Sequence, residues 1–163
     1  PDGSVVNNSA VIFTEVDNTK PFTFTAKVQP EFTETGTYSA GVIYAYENDT
    51  HCQKLCFEQD EYGDHRVVSV RTLGTSDDNN HQAITAPYVY MRLSSDGTTL
   101  GSYFSEDGKI WRMARLYKND FPEKLLIGIS SQSPKDNEHT CLFTEVSLTD
   151  KPVADFRKGN IAE

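Results

Sequence analysis

Glu58 and Asp60 stand one residue apart in Glu58-Gln59-Asp60-Glu61-Tyr62, and on an extended strand alternate residues project onto one face. Two carboxylates on one face are what acid and nucleophile chemistry at a glycosidic bond requires, at a separation of about 5–10 Å. The next residue on that face is Tyr62, and Glu58 and Asp60 alone read as surface carboxylates, with no catalytic residue assigned. There is no Gly-x-Ser-x-Gly elbow, phosphate-cradling glycine loop or histidine pair at zincin spacing. No cofactor is expected, and the balance is against an enzyme.

Cys52, Cys56 and Cys141 form an odd set. Four extended residues separate the first two by about 13 Å, beyond disulfide reach, and no further Cys or His falls at zinc-ligand spacing. They read as free thiols, with a cytoplasmic setting as the expectation. Asp77-Asp78-Asn79 reads as a solvated acidic loop in preference to a calcium site, so no metal is expected.

Tyrosine is the other chemical resource. Tyr88, Tyr90 and Arg92 alternate with Val89, Met91 and Leu93; Tyr103 and Ser105 alternate with Ser102 and Phe104; Tyr44 and Tyr46 share a parity, as do Lys54 and Glu58. If these faces coincide, one sheet presents Tyr44, Tyr46, Lys54, Glu58, Tyr90, Arg92, Tyr103 and Ser105. Such a surface would stack on sugar rings and orient their hydroxyls with charged groups. Trp111, the single tryptophan, is a further stacking candidate, with core burial as the competing reading, and Arg112 and Arg115 beside it read either as solvent-facing or as stacking on it.

The elements that must position these residues are strands, because period-two alternation dominates the 163 residues and helical periodicity is absent beyond about a turn. Runs are expected at Phe22 to Pro30, Gly41 to Glu47, Cys52 to Glu58, Arg66 to Thr72, Tyr88 to Leu93, Thr99 to Ser105, Ile110 to Arg115, Leu125 to Ser130 and Cys141 to Leu148. Asn48-Asp49, Tyr62-Gly63-Asp64, Asp96-Gly97 and Asp107-Gly108 supply the turns between them. The segments Asp77 to His81 and Ser133 to Asn137 are expected as loops. Val89, Met91, Leu93, Phe104, Leu142, Val146 and Leu148 are expected to fill the space between two sheets. Residues 1–163 thus read as a single all-β domain.

With 24 acidic and 15 basic residues the net charge is −9, which repels a phosphate backbone and makes nucleic acid a poor partner. The longest apolar run, Leu125-Leu126-Ile127, is far short of a membrane span, and no membrane partner is expected. The sequence starts at Pro1, compatible with removal of a leader or tag. Asn7-Asn8-Ser9 and Asn48-Asp49-Thr50 match the glycosylation sequon, a pattern frequent by chance.

Several of these segments, in order, carry a family resemblance. They are Tyr38-Ser39-Ala40-Gly41-Val42, Lys54 and Glu58, Val67-Val68-Ser69-Val70, Met91-Arg92-Leu93, Tyr103-Phe104-Ser105-Glu106-Asp107-Gly108-Lys109-Ile110-Trp111, and Ile127-Gly128-Ile129 through Ser133-Pro134. The chain resembles the concanavalin A-like family of unknown function related to regulation of enolase proteins, over roughly Val11 to Leu148. The most specific piece is Tyr-x-Ser-x-Asp-Gly-x-x-Trp at 103 to 111. The resemblance implies a jelly-roll sandwich of two antiparallel sheets, a fold whose relatives bind or cleave carbohydrate in a groove. Where members often carry Trp, this chain has Cys52. The glucanase strand Glu-x-Asp-x-Glu is matched only as far as Glu58 and Asp60. The expected function is a noncatalytic carbohydrate-binding or interaction module with an oligosaccharide or protein partner. The alternatives are a glycoside hydrolase or lyase with an unrecognised carboxylate pair, and a regulatory protein-interaction domain.

Overall fold

The computed structural model describes residues 9–135 and 138–161. Pro1, Asn7 and Asn8 of the first sequon, and Asp136 and Asn137 of the polar loop lie outside the described residues. Eleven strands are formed, and among the described residues there is no helix. They are β1 (Val11–Asp17), β2 (Phe22–Pro30), β3 (Ala40–Asn48), β4 (His51–Gln59), β5 (His65–Leu73), β6 (Thr75–Ala83), β7 (Val89–Ser95), β8 (Thr99–Ser105), β9 (Arg112–Lys118), β10 (Lys124–Gln132) and β11 (Cys141–Thr149). A six-stranded sheet has the order β1-β10-β3-β4-β5-β6, and a five-stranded sheet the order β11-β2-β7-β8-β9. Every pairing is antiparallel.

Short turns make this connectivity possible, because side chains and glycines satisfy the backbone where it reverses. Asp96 accepts hydrogen bonds from the N–H groups of Thr98 and Thr99 at 2.9 and 2.7 Å, next to Gly97 at φ 89°. Asn48 of the second sequon is part of the β3–β4 turn, accepting from the N–H and hydroxyl of Thr50 at 2.9 and 2.8 Å.

Between the sheets lies an apolar core that includes Phe24, Ile43, Leu55, Phe57, Met91, Leu93, Phe104, Leu125 and Ile127. Parity places Val89, Met91, Leu93 and Phe104 there as expected, all buried. Leu142, Val146 and Leu148 are instead 54, 49 and 42% exposed. On β11 it is Cys141 and Phe143 that pack against the core, so the phase at the start of the strand is opposite to the one expected. A bulge between Thr144 and Ser147, with Glu145 at φ 50°, then breaks the alternation.

Two further expectations change. Asp77 to His81 forms the middle of the edge strand β6, not a loop, because β5 offers a free ladder and Arg115 holds Asp77 through its side chain and carbonyl. An exposed polar strand at a sheet edge also discourages pairing with another chain. Val11–Asp17, not expected as a strand, closes the opposite edge against β10.

Candidate functional site

Residues opposite one another in adjacent strands share a face, so the register of the six-stranded sheet assigns its outer surface. One row across the strands reads Phe13, Gly128, Tyr44, Lys54, Val70 and Asp78. The next reads Val11, Ser130, Val42, Cys56, Val68 and Asn80. A third brings Ala40, Glu58 and Arg66 together. The floor is apolar: Val42 and Cys56 are fully buried on this side, with Val68 beside them.

Above this floor lies a groove of about 800 Å³, lined by Lys54, Glu58, Val68, Val70, Asp78 and Asn80, with Tyr38, Pro134 and Glu61 among the residues around it. Tyr38 reaches it from a left-handed backbone, φ 66°, at the residue pair before β3, where its N–H bonds Gln59 O at 2.7 Å. A non-glycine residue in that conformation is strained, and such strain is retained where surrounding structure fixes it.

Among the described residues, the side chains of Lys54, Glu58, Asp78 and Asn80 make no hydrogen bond or ion pair within the chain. Burial pushes the Glu58 carboxyl up from 4.5 to about 7; Lys54 opposes that rise, and Asp78 and Asp60 add to it. Burial likewise pushes the Cys56 thiol up to about 12, so Cys56 is an inert part of the floor and no nucleophile. Cys141 sits against Gly41 on the other side of the sheet.

The eight tyrosine-face residues and Trp111 do not form one surface. Tyr44, Tyr46, Lys54 and Glu58 share the outer face of the six-stranded sheet. Tyr44 is 9% exposed, set edge-on to Phe13 and Tyr46, while Phe13 stacks on Tyr46 with ring centroids 5.1 Å apart. The Phe13 ring lies where a side chain on Gly128 would stand. Tyr44 is therefore floor, beside the groove, and not an open platform.

Tyr90, Arg92, Tyr103, Ser105 and Trp111 lie on the opposite side of the molecule, on the outer face of the five-stranded sheet, and most are already engaged. Arg92 donates to Thr25 Oγ1 at 2.9 Å and Gly159 O at 2.6 Å, and its guanidinium carbon lies 3.6 Å from the Trp111 ring centroid. Trp111 thus stacks on Arg92, and not on Arg112 or Arg115. Burial lowers Arg92 to about 10. Tyr103 is fully buried and donates to Phe156 O at 2.8 Å. Ser105 donates to Asp107 at 3.0 Å and accepts from Gly108 N–H at 3.0 Å. Asp107 in turn holds the N–H groups of Lys109 and Ile110, each at 2.8 Å. Tyr90 is half-buried, its hydroxyl 3.2 Å from Glu145. The 103–111 motif is therefore a turn, and its Tyr103 packs on Gly159 and holds Phe156.

Asp60 does not join Glu58. Its buried carboxylate closes the β4–β5 hairpin, accepting from Tyr62 N–H and Asp64 N–H, both at 2.9 Å, and from Arg66 at 2.7 and 2.6 Å. Burial acts to raise its pKa, but these N–H groups and Arg66 hold it below the usual carboxylate range. Glu61 and Asp78 are the other acids around the groove; Asp78 is two strands and four residues from Glu58 in the register, on the order of 15 Å between Cα atoms. Parity could identify Lys54 and Glu58; Tyr38, Val68, Val70, Asp78 and Asn80 emerge only from strand order.

A functionally unknown protein from Saccharomyces cerevisiae superposes with a TM-score of 0.81 at 24% identity, over 91% of this chain and 78% of that one. A xylan beta-1,4-xylosidase from Bacillus halodurans C-125 superposes at 0.65 and 14% identity, over 78% of this chain and 27% of that one. An alginate lyase from Pseudomonas aeruginosa does so at 0.54 and 11% identity, over 82% and 66%. At these identities the likeness is one of fold, the two-sheet antiparallel sandwich expected from the strand pattern. No match is found among curated proteins. Residues 1–151 match the family described as "Protein of unknown function (DUF1349)", and the chain belongs to that family.

Proposed function

We propose that the chain is a noncatalytic carbohydrate-binding module whose ligand lies in the groove over Val68 and Val70. The observation that carries the reading is the convergence of Lys54, Glu58, Asp78 and Asn80, none of them hydrogen-bonded within the described residues, above an apolar floor. Hydroxyls of a sugar both donate and accept, and this set offers a charged donor, two carboxylate acceptors and an amide that does both. Tyr38 and Pro134 provide apolar surface at the rim for a sugar ring. The sandwich neighbours named as a xylosidase and an alginate lyase fit a carbohydrate role by analogy of fold alone.

A single observation favours a catalytic alternative: Glu58 titrates near 7, where a carboxyl can give and take a proton. Two of the carboxylates that act on it argue against that role, because Asp60 is locked in the hairpin and Asp78 is two strands away; the third, Glu61, is exposed in the β4–β5 turn. A regulatory role in the manner of enolase regulation rests on motif resemblance only.

The test is titration calorimetry with neutral xylo-, cello- and manno-oligosaccharides, with reducing ends assayed in parallel. Affinity is expected between micromolar and millimolar, because an open groove buries only part of its ligand. Lys54→Ala and Asn80→Ala each weaken binding at least about 10-fold, the equivalent of one strong oriented bond, and no new reducing ends appear. Unchanged affinity in both variants removes the ligand from this groove; turnover abolished by Glu58→Gln replaces the binding reading with the catalytic one.

A further inference from the structure

We propose that the groove discriminates by charge, accepting neutral oligosaccharides and excluding polyuronates; the inference rests on the carbohydrate-binding reading above and specifies its ligand class. The groove holds one cation, Lys54, against the carboxylates Glu61 and Asp78, and Glu58 adds a third negative charge above about pH 7. Counting the exposed Lys135 next to Pro134 as a second cation at the rim still leaves the acids in excess once Glu58 is ionised.

The neighbouring arginines add no available positive charge. Arg66 shares the outer face with Glu58 but is bound to Asp60 at 2.7 and 2.6 Å, with Asp64 at 3.6 Å. Arg71 and Arg115 lie on the other side of β5 and β6, where a depression of about 430 Å³ opens against β9. Arg71 is paired with Asp120, and Arg115 with Asp77 and the Ser69 hydroxyl, at 3.1 and 2.9 Å. A ligand in the groove therefore meets Lys54 as a cation already facing Glu58, the acid that its charge influences.

A polyuronate brings a carboxylate on every sugar. Placed along the groove, these carboxylates would stand within about 8–10 Å of Glu58, Glu61 and Asp78, inside the screening length of dilute buffer. The chain's net charge of −9 acts in the same direction on approach. Neutral sugars meet no such opposition, and their hydroxyls are good donors to the same carboxylates.

The experiment titrates the whole chain at about pH 8, where Glu58 is ionised, with neutral xylo-oligosaccharides and with oligogalacturonates of equal length, in low salt and in about 0.5 M NaCl, where charges are screened beyond a few ångströms. The neutral ligand is expected to bind at least about 10-fold more tightly in low salt. Salt, or the pair of exposed substitutions Glu61→Gln and Asp78→Asn, narrows the ratio to within about 3-fold. The ratio is the readout, so a general loss of affinity in the variant does not obscure it. Oligogalacturonates binding as tightly as neutral sugars in low salt, or a ratio that neither salt nor the variant moves, overturns charge selectivity and leaves the binding reading intact. Heat from neither ligand class sinks both.

Discussion

The two outer faces of the sandwich carry similar residue types to opposite ends. On the six-stranded sheet, Lys54, Glu58, Asp78 and Asn80 form no hydrogen bond or ion pair within the described residues, and a groove stands above them. On the five-stranded sheet, Arg92, Tyr103 and Trp111 are spent on one another and on the strap from Lys151 to Gly159. Its other contacts follow suit: Thr23 donates to Lys151 O at 2.6 Å, and Val153 N–H to Ser94 Oγ at 2.9 Å. An aromatic and charged surface is therefore no sign of a binding site until its polar groups have been accounted for one by one.

The comparison makes ordered predictions for stability. Arg92→Ala should cost about 3 kcal/mol in urea unfolding, because it removes charged hydrogen bonds in a buried setting and the support under Trp111. A cost below about 1 kcal/mol would mean that the face is not closed. Glu58→Gln should act in the opposite direction. The native state keeps the Glu58 proton from the usual 4.5 up to about 7, while the unfolded chain has lost it, so native stability falls as pH climbs through that window. Replacing the acid should flatten the slope between pH 5 and 8 and add about 2 kcal/mol at pH 8, after discount for partial exposure. A slope unchanged by the substitution would place the titration elsewhere. Tyr103→Phe, which deletes only the bond to Phe156 O, should cost about 1 kcal/mol. Smallest is Lys54→Ala, expected within about 0.5 kcal/mol of the native protein; a larger loss would show that the open face is structural after all.

Local sequence carried most of the fold and two of the four polar groups of the candidate site, Lys54 and Glu58. Tyr44, Tyr46, Lys54 and Glu58 could be assigned to one surface because β3 and β4 form a two-strand hairpin, where register follows from the turn at Asn48. Tyr90, Arg92, Tyr103, Ser105 and Trp111 were misplaced because parity says which side of its own sheet a residue faces and nothing about which sheet the strand joins. β7 and β8 join β2, not β3. Residues rich in turn chemistry hid β6, whose strand form depends on a ladder from β5 and on Arg115, both distant influences. One bulge at Glu145 was enough to defeat the alternation in β11.

The strap also sets an order of events. Arg92 awaits a carbonyl 67 positions later in the chain, at Gly159, and Thr23 awaits one 128 positions later, at Lys151. During vectorial synthesis the groove strands, β3 to β6, have met one another while the acceptors for Arg92 and Tyr103 do not yet exist. The five-stranded sheet is thus finished last, with its guanidinium and phenol groups facing water until residues 151 to 159 emerge. Contacts that far apart in sequence are slow to close, and a nascent chain halted before residue 151 would carry a formed groove on one side and an unsealed, association-prone surface on the other.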